Sequence, residues 1–209
     1  GAEISPPWVV EAIEKVADPA TIRAAAFAHS GMNWYQISSP LWTLTYCLDS
    51  NYWTERVTGD DARWRGEDAI TFAGKNLIGD CQSGQIWELD PDATDDGEDH
   101  KPVVMVLRSA LVHAFPTPLS IYSLHADIIA VAQHSADPEV ASPQAMLRIS
   151  SDGGKSWSRP LYKTVGKSGT RVPPRAIWRR LGTYERQGTS FELSMSARVA
   201  RAVGDVIIN

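Results

Sequence analysis

Only two cysteines, Cys47 and Cys81, occur in 209 residues. They form no Cys-x-x-Cys pair and have no histidine at ligand spacing. A disulfide framework and a zinc site of familiar spacing are therefore not supported, and two reduced, buried thiols are expected. Long apolar runs are also missing. No stretch approaches the roughly 20 apolar residues of a membrane helix, and the N-terminus lacks a basic region followed by an apolar one, so a soluble chain without a secretion signal is expected. The histidines (His29, His100, His113, His125, His134) are dispersed. Neither His-Glu-x-x-His nor Gly-x-Ser-x-Gly occurs, and no glycine loop opens a helix, which argues against metalloprotease, serine-hydrolase and nucleotide chemistry. Leu124-His125-Ala126-Asp127 is the nearest approach to part of a triad, and a chain of this size offers such a pairing by coincidence. No catalytic residue, cofactor site or metal site is expected.

The acidic segment DPDATDDGED, residues 90–99, has part of the pattern of a calcium loop. Asp92, Thr94 and Asp96 alternate and Gly97 follows, but the twelfth position is Val103, where a bidentate Glu is required. A solvated linker is the better reading. It divides the chain into residues 1–98, a helix followed by propeller-blade-like β structure, and residues 99–209, a second antiparallel β domain.

What is present is ordinary in bulk: 43% hydrophobic and 22% charged residues, enough to bury a core at this length. Eight tryptophans (Trp8, Trp34, Trp42, Trp53, Trp64, Trp87, Trp157, Trp178) are scattered near strand ends, as packing residues are. The net charge is −5 but unevenly spread. Residues 1–99 carry 18 acidic and 6 basic side chains, and residues 150–209 carry 4 acidic and 11 basic. Such a dipolar chain is suited to head-to-tail packing of copies in a ring.

Ser5 is a fair N-cap, Pro6 fits the first helical turn, and Val9, Ile13 and Val16 recur at helical spacing, so a short amphipathic helix is expected up to Asp18-Pro19. From residue 34 to residue 90 short apolar runs alternate with turn residues: WYQISS, LWTLTYCL, YWTERV, DAITFAG, NLIGDC and GQIWELD. Further strands are read at 103–115, 121–133, 145–150, 157–162, 175–184, 191–195 and 203–208. The fold class is all-β, with antiparallel sheets and one short helix. Arg175, Arg179, Arg180 and Arg186 could contact phosphate, although outward arginines on strands more often face solvent or protein.

At the centre of the second half lies SSDGGKSW, residues 150–157. Glycine supplies positive φ and an Asp carboxylate can accept from turn amides, so Asp152-Gly153-Gly154 is hairpin chemistry. Ser150, Asp152, Gly154, Ser156 and Trp157 fit Ser-x-Asp-x-Gly-x-Ser/Thr-Trp. The octet resembles the Asp-box hairpin of β-propeller proteins, sialidases among them, and implies a local shape in which Asp152 serves the turn and Trp157 packs beneath it.

LRISSDGGKSWSRP, the basic turn that follows it, and RAIWRRLGTYERQGTSFELSMSARVARAVGDVII together look like the C-terminal end of the packaged-DNA-stabilisation proteins, the tail hub or tail accessory factor of short-tailed bacteriophages. Upstream, IEKV, WYQISSPLWTLTYCLDSNYWTER and GDCQSGQIWELD are similar to the middle of that family in the same order. The resemblance covers nearly the whole chain and implies a C-terminal portion of a longer protein. It further implies a non-enzymatic virion tail component, made in the bacterial host cytoplasm and homo-hexameric at full length, with the portion at hand free to be monomeric. Its implied partners are the portal-adaptor ring and the tail needle or tailspikes, with packaged DNA passing nearby without specific binding and no membrane contact. An acidic channel wall would let DNA slide without sticking. The competing reading is a glycan-binding or sialidase-like β-propeller module, which would need an arginine cluster and a Tyr paired with Glu, with Tyr162 or Tyr184 and Glu185 as the available residues.

Overall fold

A computed structural model describes residues 4–59, 61–96, 100–131, 135–167, 175–185 and 188–209. The chain is all-β and forms two compact units, Gly1–Ala93 and Thr94–Asn209.

The first unit begins with helix α1 (Pro7–Glu14), whose N-cap is Pro6 without a side-chain cap. The start lies one residue beyond the sequence expectation. A residue that precedes proline is driven to extended backbone, so neither Ser5 nor Pro6 can open the helix, whereas Pro7 suits its first position. Val9 is fully buried with Ile37, Trp42 and Leu44, and Ala12, Val16 and Trp53 pack around them. Trp42 Nε1 donates to Ala12 O at 3.2 Å. The helix thus covers one face of a sheet formed, in chain order, by β1 (Arg23–His29), β2 (Met32–Ser38), β3 (Thr43–Cys47) and β4 (Tyr52–Arg56). All neighbours are antiparallel. β1 lies outside the runs expected to form strands, because its run of alanines shows little hydrophobic alternation.

The opposite face of this sheet carries Gln36, whose buried amide donates to Gly66 O at 2.8 Å and Glu67 O at 3.3 Å. It thereby meets the second sheet of the unit, β5 (Gly66–Phe72), β6 (Lys75–Asp80) and β7 (Ile86–Glu88), again antiparallel in chain order. Gly66 is required there, since a Cβ would stand 2.6 Å from Ile78 Cγ2 and 2.7 Å from the Trp64 ring. Between these layers the Arg56 guanidinium lies 5.5, 5.2 and 5.0 Å from the ring centres of Phe27, Trp34 and Trp64. The rings attract the cation, while burial pulls its pKa down to about 10.

In the second unit the two-residue strands β8 (Asp95–Asp96) and β9 (Lys101–Pro102) pair first. Two larger sheets follow from β10 (Met105–Arg108), β11 (Leu119–Ala130), a four-residue helix α2 (Pro138–Ala141), β12 (Gln144–Ser150), β13 (Leu161–Thr164), β14 (Arg175–Tyr184), β15 (Ser190–Met195) and β16 (Arg201–Ile208). Their orders are β10-β15-β12-β13 and β14-β11-β16. Leu124, Ile128, Leu147, Trp178, Phe191, Leu193 and Met195 are among the residues of their common core.

Two of the expected strands are much shorter or later than the sequence suggests. The run 103–115 is a strand only at β10, because at Ser109 a side-chain hydroxyl takes over a ladder bond to β15 and the regular backbone pairing ends. Ser109 N donates to Phe191 O and Phe191 N to Ser109 Oγ, both at 2.9 Å, after which the backbone turns toward the Pro116-Thr117-Pro118 segment. The run 157–162 begins its strand only at Leu161, because Trp157 still belongs to the preceding turn and Pro160 has no N–H for a ladder.

Candidate functional site

The octet lies in the connection between β12 and β13. Ser158 N donates to Ile149 O at 2.8 Å and Ile149 N to Ser158 Oγ at 3.0 Å, which closes the loop at its base. Inside it, Asp152 Oδ1 accepts from Lys155 N at 3.0 Å, Ser156 N at 2.9 Å and Ser150 Oγ at 2.8 Å, while Oδ2 accepts from Ser156 Oγ at 2.6 Å. Gly154 N donates to Ser150 Oγ at 2.8 Å, and Gly153 and Gly154 both take positive φ. Hydrogen bonds from Ser156 first, then from Ser150 and Lys155, hold the Asp152 carboxyl far below the ordinary carboxylate range. Asp152 is therefore a permanent anion that organises the turn.

The turn delivers Trp157 to a row of charges that the sequence reading did not anticipate. β10, β15 and β12 set Arg108, Glu192 and Arg148 side by side, with Glu192 in register with both. Arg108 Nε donates to Glu192 Oε2 at 2.8 Å. Arg148 donates to Oε1 through Nε at 2.8 Å and also through Nη2. The Trp157 ring centre lies 5.9 Å from the Arg108 guanidinium carbon and 5.7 Å from that of Arg148. The Glu192 side chain is 1% exposed, against 63% for Arg108 and 39% for Arg148. Burial alone would raise the Glu192 pKa, but the hydrogen bonds from Arg148 and Arg108 outweigh it and hold the group below its usual range. With both oxygens occupied, Glu192 is placed to fix two guanidinium groups and not to donate a proton. The next row of the same face, Val106, Ser194, Met146 and Tyr162, leads to a shallow hollow of about 220 Å³ beside α2, where Glu139, Ser142, Gln144 and Ser196 are exposed to it.

A second carboxylate centre lies in the first unit. Asp80 accepts from Arg65 Nε at 3.2 Å, Gln82 N at 2.8 Å, Ser83 Oγ at 2.7 Å and Trp87 Nε1 at 3.2 Å. Its buried side chain would titrate high for want of solvent, but these donors, Arg65 foremost, hold it far below the ordinary range. Both units thus use an aspartate to gather a turn that ends on a tryptophan. The signal in the sequence was Asp80-Cys-Gln-Ser83-Gly84, with Trp87 three positions on, inside a block read only as strand and turn.

The remaining candidates are not brought together. Asp127 is held by Arg175 at 2.6 and 3.1 Å, and His125 Nε2 lies 2.9 Å from Ser123 Oγ. Tyr184 donates to Leu181 O at 2.7 Å, and burial raises its pKa; Tyr162 is 58% exposed on another strand. In the acidic segment Asp92 N donates to Asp90 Oδ1 at 2.9 Å, and Thr94 O accepts from Val103 N at 3.1 Å. No group of three metal-ligating side chains occurs among the described residues. Gly97 and Arg186 lie outside them. Both cysteines are free thiols; Cys47 is buried as expected, but Cys81 is exposed, because it lies in the turn that follows β6. No described helix is long and apolar enough to cross a membrane.

No protein-family model matches this sequence, and no curated protein is significantly similar to it.

Proposed function

We propose that this chain is a structural module of a short-tailed phage tail hub: a C-terminal portion of the protein that closes the portal-adaptor channel, stabilises packaged DNA and docks the tail needle or tailspikes. The observation that carries this reading is an apolar sheet face. Ile70, Phe72 and Ile86 share one face of the β5-β6-β7 sheet and are 64, 67 and 71% exposed, around a Lys75–Glu88 ion pair. A contiguous face of this kind suits burial against a neighbouring subunit. Two features accompany it. The β1-β2-β3-β4 sheet has the up-and-down order of a propeller blade. The first unit also carries 14 acidic and 6 basic side chains against 11 and 14 in the second, a complementarity suited to ring contacts. The strongly held carboxylates Asp80, Asp152 and Glu192 have structural partners, which favours a scaffold over a hydrolase.

Light scattering after size exclusion, at low and high salt, tests the proposal together with sedimentation against portal-adaptor rings. The expected result is a salt-sensitive ring of about six copies or co-sedimentation with the adaptor ring. A monomer at every salt that also fails to co-sediment would reject it. Turnover of a sialoside panel, or glycan binding lost in Trp157→Ala, would put the glycan reading in its place.

A further inference from the structure

The row of charges on the second unit is not electrically complete. Arg108 and Arg148 share one carboxylate, Glu192, and neither has another ion-pair partner among the described residues, so one positive charge is left over. Donors are left over with it. Arg108 is engaged only through Nε, and Nη1 of Arg148 has no acceptor among the described residues. Glu192, buried and bonded at both oxygens, holds the two exposed guanidinium groups beside each other, with the Trp157 ring against both. A pair fixed in this way is set up to receive one further carboxylate. A phosphate monoester, with close to two negative charges, would overshoot the surplus.

The surroundings are those of a protein contact. In the adjoining row of the same face lie Val106, Met146 and Tyr162, with Val106 46% and Tyr162 58% exposed. Aromatic residues, Met and Arg are the types enriched in interfaces. The first unit offers a counterpart. Of its described acidic side chains, Glu14, Glu55, Asp68 and Asp92 have no hydrogen-bond or ion-pair partner. Among these four, Asp68 alone stands on the exposed apolar face of Ile70, Phe72 and Ile86. A Cβ on Gly79 would lie 4.0 Å from Asp68 Cβ, and Gly79 is in register with Ile86. On each face, therefore, a charge and an apolar side chain are one two-residue step apart, roughly 6.6 Å.

We propose that Arg108 and Arg148 bind Asp68 of a neighbouring copy, so that the apolar face of the β5-β6-β7 sheet packs on the Val106, Met146 and Tyr162 face of the next chain. The inference rests on the hub reading, which makes the first face a subunit contact, and it names what that face meets. Sheets pack face to face at roughly 10 Å, a gap that a long arginine and a short aspartate span together. A second copy is the occupant that the charge balance favours: the first unit carries 14 acidic and 6 basic side chains against 11 and 14 in the second. The two surfaces are unlike, which is the head-to-tail kind of contact that closes into rings.

The test is the self-association constant of the full chain, by sedimentation equilibrium. Asp68→Lys should weaken it about tenfold or more. Glu14→Lys, the same charge change at the end of α1, should leave it unchanged. Adding Arg108→Glu to Asp68→Lys reverses the pair and should recover most of the loss. Arg148 keeps its two bonds to Glu192 Oε1 in that variant, and circular dichroism checks that it is folded. A second measurement leaves the row of charges intact. With the exposed Cys81 changed to Ser and Cys47 buried, chains carrying Asp68→Cys and chains carrying Val106→Cys are mixed with a bis-maleimide that spans about 10 Å. A covalent dimer is expected in the mixture and in neither chain alone. A chain that stays monomeric, an Asp68→Lys variant that associates like wild type, a folded reversed variant without recovery, or a mixture without cross-linked dimer overturns the proposal. The hub reading fails separately: a ring or co-sedimentation indifferent to Asp68→Lys sinks this inference alone, and cross-linked copies that neither close a ring nor sediment with the adaptor sink the hub reading alone.

Discussion

Glu192→Gln is the most informative single perturbation of the second unit. The substitution keeps the shape of the side chain but removes the charge and turns one oxygen into an N–H₂ that faces a guanidinium donor. Hydrogen bonds to charged groups contribute about 1.5–3 kcal/mol each, and a fully buried ion pair that loses one partner costs about 3–5 kcal/mol. Here the arginine ends are 63 and 39% exposed, so water screens both cations and the cost falls below that range. A loss of about 2 kcal/mol is expected, which at a slope near 2 kcal/mol per molar is a drop of about 1 M in the urea midpoint. Because the chain has two compact units, only the unfolding of the second unit should move. The folded pKa of Glu192 lies below its ordinary value of 4.5, so its contribution is complete above that pH and is lost as the pH falls through the folded value. The gap between wild type and Glu192→Gln should therefore close in acid. A gap that stays constant from about pH 6 down to pH 3 would refute the charge argument, and an unchanged midpoint at neutral pH would refute the whole account of the row.

Asp152→Ala removes the shared acceptor of Lys155 N, Ser156 N and two hydroxyls. It should lower the thermal midpoint and speed hydrogen exchange at residues 150–158, with Asp152→Asn intermediate; equal exchange in wild type and Asp152→Ala would show that the turn does not depend on the carboxylate. Gly66→Ala forces a Cβ against Ile78 and the Trp64 ring and should destabilise the first unit by about 1–3 kcal/mol, read by urea unfolding. Ile78→Ala in the same background should recover part of that loss if the clash is its cause.

Local features were legible from the sequence because their partners are close along the chain. The Asp152 turn needs only donors and acceptors within eight residues, and the strand at 175–184 has the expected bounds because alternation and flanking turn signals define it locally. α1 shifted by one residue for an equally local reason, the effect of consecutive prolines. Legibility ends where strands pair across distance. Glu192 meets Arg108 from 84 positions away and Arg148 from 44, through a sheet order that interleaves β15 between β10 and β12. Neither alternation nor turn chemistry encodes that order, since many registers bury the same apolar faces. The extent of the strand at 103–115 was likewise decided by Phe191, far along the chain. Composition, periodicity and turn residues thus determined the class of fold and its punctuation, because they act over a few residues; long-range register decided which charges became neighbours, because only closure of the sheets brings them into contact.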